Sequence, residues 1–179
     1  MTEPDAASRP AASSQPPVPE TLPAPPATGR LLGIDYGDKR MGFAVSNPEQ
    51  TIACAIENYT RRTSALDLQQ IRRWCQEYSI RGFVVGLPIH MNGNESQKSL
   101  QCRQFAAYLY QALGLPIALH DERCTTAVVL DQLIELDMSR KQRKKKVDML
   151  AAQVLLQAYL DSKQPLRTGE PDLPEPSEF

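Results

Sequence analysis

Large apolar side chains begin to recur at Leu31, and from there the spacing of apolar and polar positions changes along the chain. Leu31-Leu32-Gly33-Ile34-Asp35-Tyr36 and Met41-Gly42-Phe43-Ala44-Val45-Ser46 are short apolar runs separated by Gly37-Asp38-Lys39-Arg40. A second turn at Asn47-Pro48 leads into Thr51-Ile52-Ala53-Cys54-Ala55-Ile56-Glu57. Three short strands joined so closely predict an antiparallel meander. The period then lengthens: Thr63 or Ser64 can cap a helix whose apolar face holds Leu66, Ile71, Trp74, Cys75 and Tyr78. Arg81-Gly82-Phe83-Val84-Val85-Gly86 reads as a buried strand ended by Leu87-Pro88. After an Asn- and Gly-rich loop from Ile89 to Asn94, a second helix is expected over about Ser96 to Leu113, stopping at Gly114 with Pro116 just beyond. Ile117-Ala118-Leu119-His120 makes a fifth strand, a third helix runs from about Thr125 to Leu136, and a last helix from about Val147 to Ser162.

The order βββαβαβαα pairs the first three strands antiparallel, while the helices between the later strands imply right-handed crossovers and parallel pairing. The expected fold is therefore α/β, a mixed five-stranded sheet with helices on both faces. The pattern also divides the chain. Residues 1–29 are mostly Pro, Ala, Ser and Thr, too poor in apolar surface to offset ordering entropy, and are expected to form a disordered Pro/Ala-rich tail. Residues 30–163 form the domain, and residues 164–179 form a disordered, acidic, Pro-containing tail.

Charge sharpens this division. Residues 30–163 hold 18 Lys and Arg against 14 Asp and Glu, so the domain is +4 within a chain of net charge -1. A mildly basic domain is compatible with a polyanionic partner without requiring one. The opening segment lacks the apolar run of a signal peptide and the Arg-rich pattern of a transit peptide, and no stretch approaches the roughly 18 apolar residues of a membrane span. A soluble, cytoplasmic protein is expected. Cys54, Cys75, Cys102 and Cys124 are too widely spaced for a C-x-x-C motif and are read as reduced packing residues.

Three acids stand out. Asp35 ends an apolar strand just before a glycine-bearing turn, Glu122 follows the fifth strand, and Asp148 opens a helix that is apolar nearly all round. Each has a purely structural alternative: a turn acid, or an acid favouring a helix N-terminus. In an open α/β sheet, however, ligands bind beyond the carboxyl ends of parallel strands, where Asp35 and Glu122 would lie. Ala151 and Ala152 would let the last helix approach the sheet closely and carry Asp148 there. Converging carboxylates repel unless a cation is present, and all-oxygen donors suit Mg²⁺ or Mn²⁺, with two ions able to align a water for attack on a phosphodiester. His90 and His120 read as loop or strand-end residues, which argues against zinc.

Four segments together resemble the YqgF/RuvX family: Gly33-Ile34-Asp35-Tyr36-Gly37-Asp38-Lys39-Arg40-Met41-Gly42, Val85-Gly86-Leu87-Pro88, Asp121-Glu122-Arg123-Cys124-Thr125-Thr126 and Val147-Asp148-Met149-Leu150-Ala151-Ala152. The resemblance spans residues 31 to 161. It implies a ribonuclease H-like fold and a Holliday-junction-resolvase-like nuclease that processes the 5′ end of precursor 16S ribosomal RNA in the cytoplasm. The family's acidic site falls on Asp35, Glu122 and Asp148. Two departures occur: His90-Met91-Asn92-Gly93 stands where the family often has an Asn-Met-Asp-Gly turn, and Cys124 replaces its leucine. The first weakens any substrate role for His90 and Asn92.

Arg140-Lys141-Gln142-Arg143-Lys144-Lys145-Lys146 has six positive charges in seven residues and ends two positions before Asp148. Alone it would read as a solvated linker; beside a phosphodiester site its cations read as phosphate contacts, which add affinity without reading sequence. Lys39, Arg40 and Arg123 flank the acids and could hold the scissile phosphate, or pair with Asp38 and Asp121 instead. Two alternatives stay open beside the RNA nuclease, a structure-specific nuclease for branched DNA and a non-catalytic RNA- or ribosome-binding protein. A sugar-kinase-like phosphate site is weaker, because the chain is too short for a second phosphate-loop subdomain.

Overall fold

The computed structural model describes residues 22–88, 96–121 and 140–163, the stretch 140–149 as helical backbone. The elements are β1 (Arg30–Tyr36), β2 (Arg40–Ser46), β3 (Ala53–Thr60), α1 (Ser64–Glu77), β4 (Ile80–Leu87), α2 (Gln97–Leu113), β5 (Ile117–Asp121) and α3 (Arg140–Lys163). They form one five-stranded sheet in the order β3-β2-β1-β4-β5. β1 pairs antiparallel with β2, and β2 with β3, whereas β1–β4 and β4–β5 are parallel. This is the mixed α/β sheet that the spacing of apolar residues implied.

Side chains alternate along β1. Leu32 and Ile34 join Phe43, Ile71, Trp74, Phe83 and Leu109 in the larger core, beneath α1 and α2. Leu31 joins Ala44, Val84, Ala152, Leu156 and Leu160 on the opposite face, beneath α3. Gly33 belongs to that second face, and its missing side chain sets how near α3 can come: a Cβ there would lie 2.8 Å from the Leu156 Cβ and 3.3 Å from the Ala152 carbonyl oxygen. Ala152 is fully buried against the sheet, and Ala151 is half-buried.

Local signals end the helices as expected. Thr63 Oγ1 accepts from the Leu66 N–H at the start of α1, Ser96 and Ser99 cap α2 reciprocally, and Gly114 closes α2 by donating its N–H to the Tyr110 carbonyl. The apolar face of α1 differs from the expected one. Leu66 is exposed and Asp67 is buried, in register with Ile71 and Trp74, because a specific cation awaits the acid.

Two boundaries also differ. Residues 22–29 pack on the domain rather than trailing from it. The Ile117 N–H donates to the Pro23 carbonyl at 3.0 Å, Gln50 Nε2 donates to the carbonyls of Pro26 and Gly29, and the Gly29 N–H donates to the Pro48 carbonyl at 2.7 Å. Leu22 packs against the larger core. Proline-rich composition did not preclude order here, because carbonyls remain to accept bonds. The last helix starts at Arg140, so the basic run is helical rather than a linker. Lys, Arg and Gln are good helix formers, and neither Pro nor Gly interrupts the run. The helix expected over Thr125 to Leu136 lies outside the described residues. No helix among the described residues is long and apolar enough to cross a membrane.

Candidate active site

Because β1, β4 and β5 run parallel, their carboxyl ends, Tyr36, Leu87 and Asp121, share one edge of the sheet. Asp35 is half-buried at this edge, on the α3 side. Its antiparallel partner is Gly42, so no side chain occupies the neighbouring position on that face.

The direction of α3 follows from its contacts. Ala152 and Leu156 cross Gly33 in mid-strand, while the Gln157 side chain accepts from the Ala53 N–H and donates to the Thr51 carbonyl. Ala53 pairs with Ser46, whose hydroxyl accepts from the Leu31 N–H at the amino end of β1. The helix therefore descends toward that end from Ala152 onward, and its earlier turns rise toward the carboxyl edge. Asp148 stands four residues before Ala152 in this helical backbone, a rise of about 6 Å, and Asp35 stands two residues after Gly33, about 6.6 Å along the strand. The backbone positions of Asp35 and Asp148 thus approach one edge on one side of the sheet.

Glu122 and Arg123 lie outside the described residues, directly after the Asp121 that ends β5. His90 and Asn92 also lie outside them. Arg140, Lys141, Arg143, Lys144, Lys145 and Lys146 occupy the first two turns of α3, with Lys144 four residues before Asp148. Among the described residues, no three His, Cys, Asp or Glu side chains gather as a metal site.

Lys39 and Arg40 are exposed in and just after the β1–β2 turn. Asp38 pairs with Lys98 of α2 at 2.7 Å, and the hydrogen bond and charge of Lys98 hold its carboxyl below the usual range. His120 packs edge-on against Tyr159 with ring centroids 5.7 Å apart; burial draws its pKa down, toward the neutral form.

Sequence reasoning missed a network beneath this turn. Arg61 Nη1 donates to the Tyr36 hydroxyl at 2.8 Å and to the Gly37 carbonyl at 3.2 Å, and Arg61 Nε pairs with Asp67 Oδ2 at 3.3 Å. An available signal was Asp67 itself, an acid in register with Ile71 and Trp74 on the buried face of α1. Arg61, Asp67, Tyr36, Gln101, Phe105 and Tyr108 line a cleft of about 410 Å³ between α1 and α2, on the face opposite α3.

The strand order and mixed pairing define the class: an α/β protein built on one mixed five-stranded sheet. The RuvX family model, described as Holliday junction resolvase, matches residues 29–162. A protein of Rhodopirellula baltica named "Putative pre-16S rRNA nuclease" is 42% identical over 137 residues, covering 76% of this chain and 79% of the relative. One of the same name from Bradyrhizobium diazoefficiens is 41% identical over 144 residues, covering 80% and 89%. The Thermus thermophilus RuvC structure in complex with a Holliday junction substrate aligns with a TM-score of 0.43 at 14% identity, over 77% of this chain and 99% of that one. The chain belongs to the RuvX family.

Proposed function

We propose that this protein is a nuclease that hydrolyses phosphodiester bonds in precursor 16S ribosomal RNA, using Asp35, Glu122 and Asp148 to hold Mg²⁺ or Mn²⁺. The observation that carries the reading is Asp35 at the carboxyl end of β1, facing the side on which α3 brings its early turns back toward the same edge. The donor set fits the ions: three carboxylates offer hard oxygen ligands and no soft sulfur. Bound there, two such ions would activate a water and neutralise the leaving oxygen.

The chain's own residues prepare for this in two ways. Mutual repulsion among the acids disfavours their ionised, metal-free state, which favours cation capture. The cations of Arg140, Lys141, Arg143, Lys144, Lys145 and Lys146 lie on the helix that carries Asp148 and would hold substrate phosphates, with Lys39, Arg40 and Arg123 nearer the scissile bond. The names of the relatives support precursor 16S rRNA as substrate, and a ribosomal, cytoplasmic setting follows from that substrate. The family description favours branched DNA as the second substrate class to test.

The deciding experiment offers full-length protein precursor 16S rRNA and a four-way DNA junction, each with Mg²⁺, Mn²⁺ or a chelator. Metal-dependent cleavage of the RNA, abolished in Asp35→Asn, is the expected result. Preferential junction cleavage would reassign the substrate. Tight RNA binding without cleavage under any metal would make this a binding protein.

A further inference from the structure

The turn that follows Asp35 is tied down residue by residue, and one residue makes most of the ties. Arg61 donates through its guanidinium to the Tyr36 hydroxyl and the Gly37 carbonyl, and through its backbone N–H to the Lys39 carbonyl at 3.0 Å. The remaining residue, Asp38, is held by Lys98. The guanidinium also lies 4.7 Å from the Tyr36 ring centroid, and Lys98 Nζ lies 5.0 Å from it. Gly37 admits no substitute, since a Cβ there would collide with the Arg40 carbonyl oxygen.

Arg61 is itself fixed. Asp67 is only 3% exposed, and its two oxygens accept from Arg61 Nε and from the Arg62 N–H. A buried carboxylate without a mechanistic role is costly unless paired, and here the pairing points one way, from α1 through Arg61 to the end of β1. Tyr36 belongs to the α1–α2 face, where its ring packs on Phe105 at 4.5 Å between centroids. Asp35 belongs to the α3 face. Arg61 therefore holds the strand end from behind, without entering the side where a metal would sit.

We infer that Arg61, oriented by Asp67, is a positioning residue for the reaction: it fixes the β1–β2 turn and thereby the direction in which Asp35 offers its carboxylate. The β1–β2 ladder begins at Tyr36 and Met41, so Asp35 is one pair from the turn and one residue past the last β1–β4 pair, Ile34 and Val85. Without the clamp the backbone that carries Asp35 would share the motion of the turn. With it the donor is preorganised, as supporting partners do for metal ligands generally. This inference rests on the proposed role of Asp35 as a metal ligand.

The test uses full-length wild type, Arg61→Lys, Tyr36→Phe and Asp35→Asn, with two readouts besides activity. Amide hydrogen exchange over residues 36–40 is measured on metal-free protein, and Mn²⁺ binding is titrated by electron paramagnetic resonance. Arg61→Lys should speed exchange across the turn, leave β4 protected, and weaken Mn²⁺ binding by about 10-fold or more. Tyr36→Phe, which keeps the ring and loses one acceptor, should shift both measures the same way by less. A folded Arg61→Lys protein with wild-type turn exchange or wild-type Mn²⁺ affinity overturns the inference; if that variant does not fold, the same two measures on Tyr36→Phe decide it. Mn²⁺ binding lost in Asp35→Asn and kept in Arg61→Lys would sink the clamp alone. Binding absent from wild type, or unchanged in Asp35→Asn, would sink the metal-ligand reading beneath it.

Discussion

Gly33 of β1 and Leu156 of α3 stand so close that a Cβ on the glycine would lie 2.8 Å from the leucine's own Cβ, well inside contact distance. Neither atom is the far end of a flexible chain, so the only relief is movement of strand or helix. Gly33→Ala should therefore destabilise the fold by about 1–3 kcal/mol, the usual range for overpacking. It should also displace α3 and with it the backbone at Asp148. Urea unfolding followed beside cleavage separates the two effects. Loss of activity under conditions where the variant is fully folded is the expected outcome; a folded variant with wild-type activity would show that α3 need not lie this close.

The basic run is helical, which puts six cations into the first two turns of α3 with no acid in the first turn. Like charges at i,i+4 repel, and the positive end of the helix dipole opposes them further. Lys144→Gln/Lys145→Gln/Lys146→Gln should thus raise the thermal midpoint of the free protein while weakening RNA binding. The salt dependence identifies the mechanism: removing three phosphate contacts should flatten the plot of log affinity against log salt by roughly 2 in slope. An unchanged slope would return the run to a solvated surface.

The sheet was legible from the sequence because the period of apolar residues changes where the architecture changes, from the runs at Leu31–Ile34 and Met41–Val45 to the helical spacing of Ile71 and Trp74. The place of Asp35 at the carboxyl edge was legible for a related reason: an acid ending an apolar strand stands out against its neighbours. Arg61 and Asp67 were not, because their meaning lies in a contact between α1 and the β1–β2 turn that spacing does not record. Composition misled at residues 22–29, where backbone carbonyls rather than side chains make the bonds. It misled again at Arg140–Lys146, where helix propensity outweighed like-charge repulsion.

The packed segment before β1 has a measurable role. Gln50 spans two of its carbonyls, those of Pro26 and Gly29, at 2.9 and 2.8 Å. Gln50→Ala should cost about 1 kcal/mol, two partly solvated hydrogen bonds at most. Removing residues 1–29 should cost more, since it also strips Leu22 from the core and leaves the Ile117 N–H without its Pro23 acceptor. Denaturant titration of both variants checks this ordering. A truncated protein as stable as Gln50→Ala would mean that the segment merely rests on the surface.

Cysteine chemistry supplies a pH test with a definite sign. Burial pushes the Cys75 thiol up to about 11, against some pull from the nearby Arg72 charge, whereas Cys54 is exposed. At pH 8 iodoacetamide should label Cys54 quickly and Cys75 slowly, because the thiolate is the nucleophile. The folded state holds the Cys75 proton more tightly than the unfolded chain, whose thiol titrates near 9.0. Its contribution to stability is therefore fully present below about pH 9 and lost as pH rises toward 11. Cys75→Ala should unfold with a midpoint that falls less steeply across that window than wild type does. Identical alkaline limbs in the two proteins would mean that the thiol ionises in the native state as readily as in the unfolded one.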